Sequence, residues 1–352
     1  MNEKQYLTNL EKHLTKLNEK ERADIIRDFE EYFESGRQEG KTVDEIIDGL
    51  GTPETLAEEL LAAYSEEDFV EQVMVSSREE SSTVKNVVAK IDGANFIILP
   101  TDQDKPYVEV KDNDERTEVD VNVVGDTLYV KIHRRDVVKR FLFITFIGNL
   151  TNSDTTLYLP KKLYESINVF NDDGFVKVVE THANSFQLET DNGRIIADKL
   201  VGQLLTCETD NGRIQLHDIV FKQVKAQTDN GRIIAENVKA ELNHFETDNG
   251  RIEMKQIQGV INAETDNGRI EASLTEVTGH SSLKTDNGSI RIVSPEKLKD
   301  VLIEASTNWG SCSIYEENVK TYSQGSLTAR LKLRTSNGKI QVVSEAFATN
   351  SN

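Results

Sequence analysis

Cysteine, proline and tryptophan are scarce in this chain of 352 residues, which contains two, five and one of them. Two cysteines are too few for the disulfide framework that holds small secreted domains together. No apolar run approaches the roughly 20 residues that a helix needs to cross a bilayer, and the N-terminus "MNEKQYLTNLEKHL" lacks the apolar core of a signal peptide. The sequence therefore predicts no membrane span and a cytoplasmic location.

Positive charge is also in deficit, since 41 Lys and Arg oppose 61 Asp and Glu and the formal net charge is −20. Such a surface is expected to repel nucleic-acid phosphates and anionic lipid and to attract cationic molecules. We expect a protein or a cationic peptide as partner, and no nucleic acid. The six histidines are dispersed without metal-ligand spacing, and neither a phosphate-binding glycine loop nor a nucleophile elbow is present. The sequence predicts no cofactor, no metal site and no catalytic residue.

The phrase TDNG recurs six times between residues 190 and 288. A spacing of 18 to 20 residues separates its glycines, a short period typical of solenoids. These glycines are Gly193, Gly212, Gly231, Gly250, Gly268 and Gly288. Degenerate copies end at Gly174, Gly310 and Gly338. On both sides of each turn apolar residues alternate with polar ones, which predicts short strands with one inward face.

Rungs of about 19 residues that stack about 4.8 Å apart bury their inner columns against each other. The predicted fold class is mainly β: a single-stranded parallel β-solenoid preceded by a small all-α helical domain. Each turn glycine is expected to supply a positive φ, and the asparagine before it to tolerate the left-handed conformation. We expect the rungs to stack in chain order, with the Gly310 rung after the Gly288 rung and the Gly338 rung last.

Acidic and basic columns flank the repeated turn, because the residues two before and one after each glycine have outward parity. These columns are Asp191, Asp210, Asp229, Asp248, Asp266 and Asp286, and Arg194, Arg213, Arg232, Arg251 and Arg269. In one interpretation the arginines relieve the repulsion between stacked carboxylates in an exposed ion ladder. In the other, the columns form a linear binding edge for a polymer, a cationic peptide or calcium, although the glycine-rich nonapeptide and the EF-hand pattern of calcium sites are lacking. Trp309 replaces the turn asparagine in one degenerate copy and is a candidate contact residue.

The chain outside the TDNG copies divides into regions of different character. Residues 1–64 show apolar spacings of three and four and helix-start signals at Thr42 with Glu45 and at Thr52 with Pro53, so four short helices are expected. Residues 65–83 are expected to be a linker or a helix extension. The solenoid is predicted to have irregular rungs over 84–174, TDNG rungs over 175–290 and degenerate rungs over 291–344, before a tail at 345–352. The apolar stretch 141–147 is expected to be covered on both sides, as a candidate docking site for another domain.

The stretch "EYFESGRQEGKTVDEIIDGLGTPETLAEELL" closely resembles the helical signalling domain HAAS of Gram-positive bacteria, and the TDNG rungs resemble a bacterial adhesin-type β-solenoid domain. The two in this order resemble the YvlB and LiaX group of cell-envelope stress proteins over nearly the whole chain. The resemblance implies a helical part that binds antimicrobial peptides and a β part that restrains a membrane-linked envelope-stress response. It also implies association with the cell surface, and it supplies no catalytic motif.

Residues and resemblance together predict a non-enzymatic regulatory or binding protein of the envelope-stress response. Its helical module is expected to sense or dock a cationic antimicrobial peptide or a membrane-associated signalling partner. The candidate contact residues there are Glu30, Glu31, Tyr32, Phe33 and Glu34, although core packing explains Phe33 equally well. The alternatives are an adhesin-like surface binding protein and a polysaccharide-active β-helix enzyme with clustered carboxylates. The regular reuse of one aspartate speaks against the enzyme, because a catalytic pair should break the repeat.

Overall fold

The structure, a computed structural model, describes residues 2–14, 19–38, 40–62, 84–110, 117–134, 139–141, 144–146 and 154–345. The chain separates into a helical unit near the N-terminus and a larger unit of strands. Within the described ranges no helix is long and apolar enough to cross a membrane. The predicted linker and residues 346–352 of the predicted tail lie outside the described residues.

The described residues of the helical unit form four helices: α1 (Glu3–His13), α2 (Glu19–Gln38), α3 (Val43–Leu50) and α4 (Pro53–Ala62). Thr42 and Glu45 make the capping box that the sequence predicts at the start of α3. The hydroxyl of Thr52 accepts a hydrogen bond from the backbone N–H of Thr55 at 3.2 Å, so α4 begins where the sequence places it.

Aromatic side chains form the core of the helical unit. Tyr6, Phe29 and Phe33 are buried, and the rings of Tyr6 and Phe33 meet edge to face with centroids 5.8 Å apart. The Tyr6 hydroxyl donates to the carbonyl oxygen of Gly51 at 3.0 Å, and burial raises the pKa of Tyr6 to about 12. The buried phenol therefore keeps a hydrogen-bond partner and fastens α1 to the end of α3.

The second unit consists of short strands whose residues alternate between buried and exposed. The strands are β1 (Asn86–Asp92), β2 (Asn95–Thr101), β3 (Tyr107–Val110), β4 (Thr117–Val124), β5 (Thr127–Arg134), β6 (Lys139–Phe141), β7 (Ile144–Phe146), β8 (Asp154–Pro160), β9 (Leu163–Asn171), β10 (Val176–Val179), β11 (His182–Thr190), β12 (Ile195–Asp198), β13 (Leu204–Thr209), β14 (Ile214–Val220), β15 (Gln223–Thr228), β16 (Ile233–Thr247), β17 (Ile252–Thr265), β18 (Ile270–Ser273), β19 (His280–Thr285), β20 (Ile290–Ser294), β21 (Val301–Trp309), β22 (Cys312–Ile314), β23 (Thr321–Gln324), β24 (Ala329–Asn337) and β25 (Ile340–Ser344).

Consecutive rungs in the middle of this unit stack as parallel strands in constant register. Phe186 of β11 pairs with Leu205 of β13, which pairs with Val224 of β15, and all three are buried. After the turn, Ile195 pairs with Ile214 in the same manner. The predicted inward columns are therefore the core, and the mainly β, parallel-rich solenoid is confirmed.

The two C-terminal rungs stack in the reverse of their chain order. β24, which carries Gly338, pairs in parallel with β19 on one side and with β21 on the other. The Gly338 rung therefore lies between the Gly288 and Gly310 rungs, and the predicted stacking order was wrong there. Beyond β21, β23 pairs antiparallel with Val301–Glu304. After β22 the chain first forms β23, which covers part of the outer edge of β21, and then returns to form β24 between β19 and β21. The covering strand limits the length of unpaired strand edge at the end of the stack.

The N-terminal end repeats this arrangement. β1 lies between β5 and β9, and β2 lies between β8 and β10, all as parallel pairs. The rung that contains β5 and β8 thus stacks outside β1 and β2, although it follows them in the chain. β4 and β3 pair antiparallel with β5 and β8 and cover the outer edges. Both ends of the solenoid therefore combine an inverted rung with antiparallel closing strands.

The turn glycines serve close packing and not a left-handed conformation. The φ angles of the six TDNG glycines lie outside the left-handed region, so the predicted positive φ was wrong. A Cβ built on Gly231 would lie 1.6 Å from the carbonyl oxygen of Gly212, the equivalent glycine of the preceding rung. Positive φ angles occur instead at a second corner, six residues after the turn glycines, at Glu180, Lys199, Asp218, Asn237 and Gln256.

The apolar stretch over 141–147 is described only in part. β6 and β7 pair with each other as a two-stranded antiparallel sheet. The surroundings of their side chains lie outside the described residues, so the predicted covering of both faces stays a prediction.

Gly231→Ala should destabilise the solenoid strongly, because the added Cβ would meet backbone that cannot move without disturbing the neighbouring rung. We expect a loss of about 3 kcal/mol in the free energy of unfolding, measured by urea denaturation with circular dichroism. Asp229→Ala, an exposed change in the same turn, should alter it by less than about 0.5 kcal/mol. Equal midpoints for the two variants would contradict the packing role of the glycine.

Candidate functional site

The repeated turns stack into one continuous edge, which we call the TDNG edge. It contains residues 171–174, 190–193, 209–212, 228–231, 247–250, 265–268, 285–288 and 335–338. Its columns of threonine, aspartate, asparagine and glycine differ in burial, and each has a distinct physical role.

The threonine column is buried and joins each turn to the preceding one. The Thr228 hydroxyl donates to the carbonyl oxygen of Gly212 at 3.0 Å and accepts from the N–H of Gly231 at 3.1 Å. The same donation to the preceding glycine is made by Thr190, Thr209, Thr247, Thr265, Thr285 and Thr335. An apolar replacement would leave two backbone groups without this partner, so the threonine stabilises the stack.

The asparagine column is an exposed ladder of side-chain amides. Each Nδ2 donates to the oxygen of the side chain one rung earlier at 2.9 to 3.0 Å, from Asn192 bonded to Asp173 up to Asn337 bonded to Asn287. From the sequence, these asparagines were expected to serve turn geometry alone. The repetition of asparagine at one position of a parallel stack was the signal for the ladder.

Trp309 stands where the asparagine ladder ends. Trp309 belongs to the outermost rung and pairs with Asn337 of the next rung inward. Of its surface, 80% is exposed. The structure therefore puts this candidate contact residue at the C-terminal limit of the TDNG edge, where its ring is open to a partner.

The aspartate column is the chemically accessible part of the edge. Asp191, Asp210, Asp229, Asp248 and Asp266 are exposed, whereas Asp286 is half-buried and accepts a hydrogen bond from the Ser336 hydroxyl at 3.3 Å. At the N-terminal end of the column, burial and the neighbouring Asp92, Asp191 and Asp173 raise the pKa of Asp172. Carboxylates stacked at rung spacing thus give the edge a concentrated negative charge.

Three residues of the arginine column pair with glutamates, and Arg232 lies 3.7 Å from Glu253 of the next rung. Arg251 lies 3.1 Å from Glu253, and Arg269 lies 3.2 Å from Glu271. In the part of the chain that the structure describes, no ion pair joins this column to the TDNG aspartates. The aspartates therefore keep their charge available to solvent.

A second ladder of charged residues runs along the stack at the second corner, the one with positive φ angles. Oppositely charged residues of adjacent rungs pair there. Lys199 lies 2.7 Å from Glu180, and His217 Nδ1 lies 2.9 Å from Asp198 and 3.4 Å from Asp218. Asp198, His217 and Asp218 bring three potential ligand atoms within 4.8 Å of one another. The hydrogen bond to Asp198 raises the pKa of His217, so the cluster is accounted for as an ion pair.

The helical unit presents a separate group of candidate residues on α2. Glu30 and Glu34 are exposed and lie one turn apart, and Tyr32 is half-buried. Phe33 is buried against Tyr6, so packing explains it. The side chain of Glu31 lies outside the described residues. The structure thus brings Glu30 and Glu34 together on one face, in a different unit from Trp309 and the TDNG edge.

An open groove of about 1010 Å³ crosses the N-terminal rungs. Its lining includes Lys90, Asp92, Lys131, His133 and Asp172, and His133 Nδ1 lies 2.7 Å from Asp92 Oδ2. Charged groups of both signs in a wide groove suit a partner surface better than an enclosed small molecule.

Two family models match the chain. Residues 84–343 match the family described as Toastrack DUF4097, and residues 5–59 match the HAAS family. No curated protein matches the chain.

Solved structures with low sequence identity are also similar to the chain. A "putative adhesin" from Bacteroides fragilis NCTC 9343 is 14% identical, with 76% of this chain and 98% of that chain covered and a TM-score of 0.38. A "putative lipid binding protein" from Parabacteroides distasonis ATCC 8503 is 15% identical, with coverages of 73% and 93% and a TM-score of 0.44. A "putative cell adhesion protein" from Clostridium sporogenes ATCC 15579 is 12% identical, with coverages of 76% and 96% and a TM-score of 0.20.

His217→Gln should remove a pH-dependent part of the stability. Because the folded-state pKa of His217 lies above its unfolded value, its ion pair stabilises the fold below about pH 6.5, and this contribution is lost as the pH rises through the folded-state pKa. We expect the variant to lose less than about 1 kcal/mol near pH 5.5 and almost nothing near pH 9, because the pair is half-exposed. Urea denaturation at both pH values measures the difference. His280→Gln, at an exposed position of β19, is the control, and an equal pH dependence in both variants would contradict the assignment.

Proposed function

The chain belongs to the Toastrack DUF4097 family, and from this premise and its HAAS-type helical unit we propose that it is a non-catalytic binding protein of the cell-envelope stress response. In this proposal the helical unit captures a cationic antimicrobial peptide or docks a membrane-associated signalling partner. The solenoid supplies a rigid scaffold with an extended contact edge.

The charge of the helical unit is the observation that carries the proposal. Residues 28–59 contain 11 Asp and Glu but only two Lys and Arg. Glu30 and Glu34 project from α2, while Phe29 and Phe33 hold the same helix to the core. A rigid helix that carries exposed carboxylates one turn apart is complementary to a peptide with regularly spaced cations.

The TDNG edge supports the same class of partner in a more extended form. Its exposed aspartates repeat about every 4.8 Å without ion pairs to the neighbouring arginine column among the described residues. This favours the second candidate function, an adhesin-like protein that binds an extended cationic molecule along the edge. Polysaccharide cleavage requires two carboxyl groups in different environments, one acting as general acid and the other as general base or nucleophile. The TDNG aspartates all occupy the same kind of environment, so we do not propose this activity.

Glu30→Gln combined with Glu34→Gln in the full chain should weaken the binding of a cationic amphipathic peptide about tenfold, because two exposed carboxylates are lost from one face. Calorimetric titration at two salt concentrations measures the affinity and its ionic component. The matched control is Asp229→Asn combined with Asp248→Asn, which removes the same charge from the TDNG edge.

The two pairs separate the candidate functions. If only the double variant at Glu30 and Glu34 binds the peptide more weakly, capture by the helical unit is supported. If only the double variant at Asp229 and Asp248 does, the peptide binds to the solenoid. If the unaltered chain does not bind the peptide, or binds it only at the lower salt concentration, the proposed capture of cationic peptides is wrong.

A further inference from the structure

The strands β23, β24 and β25 carry the opposite charge from the chain as a whole. Residues 318–344 contain five Lys and Arg and no Asp or Glu, in a chain whose net charge is −20. They form β23, β24 and β25, which are the closing strand and the inverted rung at this end of the solenoid. Positive charge is thus concentrated at one end of an acidic scaffold.

Three of these cations form a row on one face of the sheet, which we call the basic strip. Arg330, Lys332 and Arg334 are exposed and alternate along β24 with buried Leu331 and Leu333. Their cross-strand neighbours are His280, Ser282 and Lys284 on β19, and Leu302, Glu304 and Ser306 on β21.

Few acidic groups neutralise the basic strip. Glu304 is the acidic residue among these neighbours, and its carboxylate lies 2.8 Å from Arg330. Lys284, on the adjacent strand, pairs with Glu264. Among the described residues, neither Lys332 nor Arg334 takes part in an ion pair. These two charges are therefore available to an anionic partner.

Exposed apolar side chains lie beyond each end of the basic strip. Leu327, just before β24, is 47% exposed, and Trp309, beside Asn337 at the other end of β24, is 80% exposed. The strand between them spans roughly 25 Å at the rise of an extended chain. Tryptophan side chains are enriched at the membrane–water interface, where the ring lies among headgroups, and Lys and Arg attract anionic lipid.

We propose that the basic strip, with Trp309 and Leu327, docks this end of the solenoid onto a membrane surface that contains anionic lipids. Lys332 and Arg334 bind headgroup phosphates, and Trp309 enters the headgroup layer. Charges more than about 8 to 10 Å away are largely screened at physiological salt, so the acidic rungs two or more layers from β24 oppose this contact weakly. The inference goes beyond the proposed function, which assigns peptide capture to the helical unit and the TDNG edge.

Trp309 allows a direct test with the unaltered protein, because it is the single tryptophan of the chain. Vesicles of phosphatidylcholine mixed with phosphatidylglycerol should shift its emission to shorter wavelength and protect it from a soluble quencher. Vesicles of phosphatidylcholine alone should do neither, and added salt should reverse the effect. An unchanged spectrum with the anionic vesicles would overturn the proposal.

A charge-reversal pair tests the strip itself. Lys332→Glu combined with Arg334→Glu should reduce the fraction that sediments with anionic vesicles at least tenfold, whereas Lys105→Glu combined with Lys222→Glu, the same charge change at exposed positions elsewhere in the solenoid, should retain most binding. Circular dichroism confirms that each pair is folded, and Trp309→Ala provides a neutral variant of the same surface. Equal losses in both charge-reversal pairs would reject the strip. If soluble polyglutamate protects Trp309 as well as anionic vesicles do, the surface binds an acidic protein and the lipid assignment is wrong.

Discussion

Backbone contact between successive turn glycines is the constraint on which the solenoid depends. A Cβ on Gly231 would lie 1.6 Å from the carbonyl oxygen of Gly212, so the turns approach as closely as the main chain allows. This approach brings the Thr228 hydroxyl within reach of that carbonyl and puts successive asparagine amides at hydrogen-bonding distance. It also fixes the register in which the apolar columns superpose. The turn glycine of each rung, which has no side chain, therefore sets the register in which the polar ladders and the apolar columns of the stack align.

The constraint divides the surface into parts that build the scaffold and parts that are free to bind. Threonine, asparagine and glycine of each turn are engaged with the neighbouring rung, whereas the aspartate between them is mostly exposed. Charge is divided as well: the TDNG edge is acidic, and the row from Arg330 to Arg334 is basic. A scaffold whose shape does not depend on these exposed residues can carry surfaces of opposite sign at different positions along its length.

Periodic and local features of the fold could be predicted from the sequence, and features that depend on neighbours could not. The rung length, the inward columns and the Thr42 capping box follow from spacing alone. The demand for glycine was visible, but close approach and positive φ both require glycine, and only the adjacent rung distinguishes them. The copies ending at Gly310 and Gly338 carry the same pattern, so nothing local shows which one contacts the Gly288 rung. At the candidate site, helical spacing predicts that Glu30 and Glu34 share a face, but the pairing of Arg251 with Glu253 depends on side-chain geometry.

Because the C-terminal rung is inverted, the solenoid is closed only after β24 and β25 have been synthesised. The ribosome makes residues 301–314 before residues 329–344, yet the later segment occupies the layer between the earlier one and the body of the stack. The segment that contains Trp309 therefore has no solenoid strand to pair with in parallel until β24 and β25 have been made. A nascent chain that stops before β24 leaves β19 and β20 without their outer neighbours and the Gly310 rung without a surface to cover. Synthesis of the last strands thus closes the stack, because those strands lie inside it.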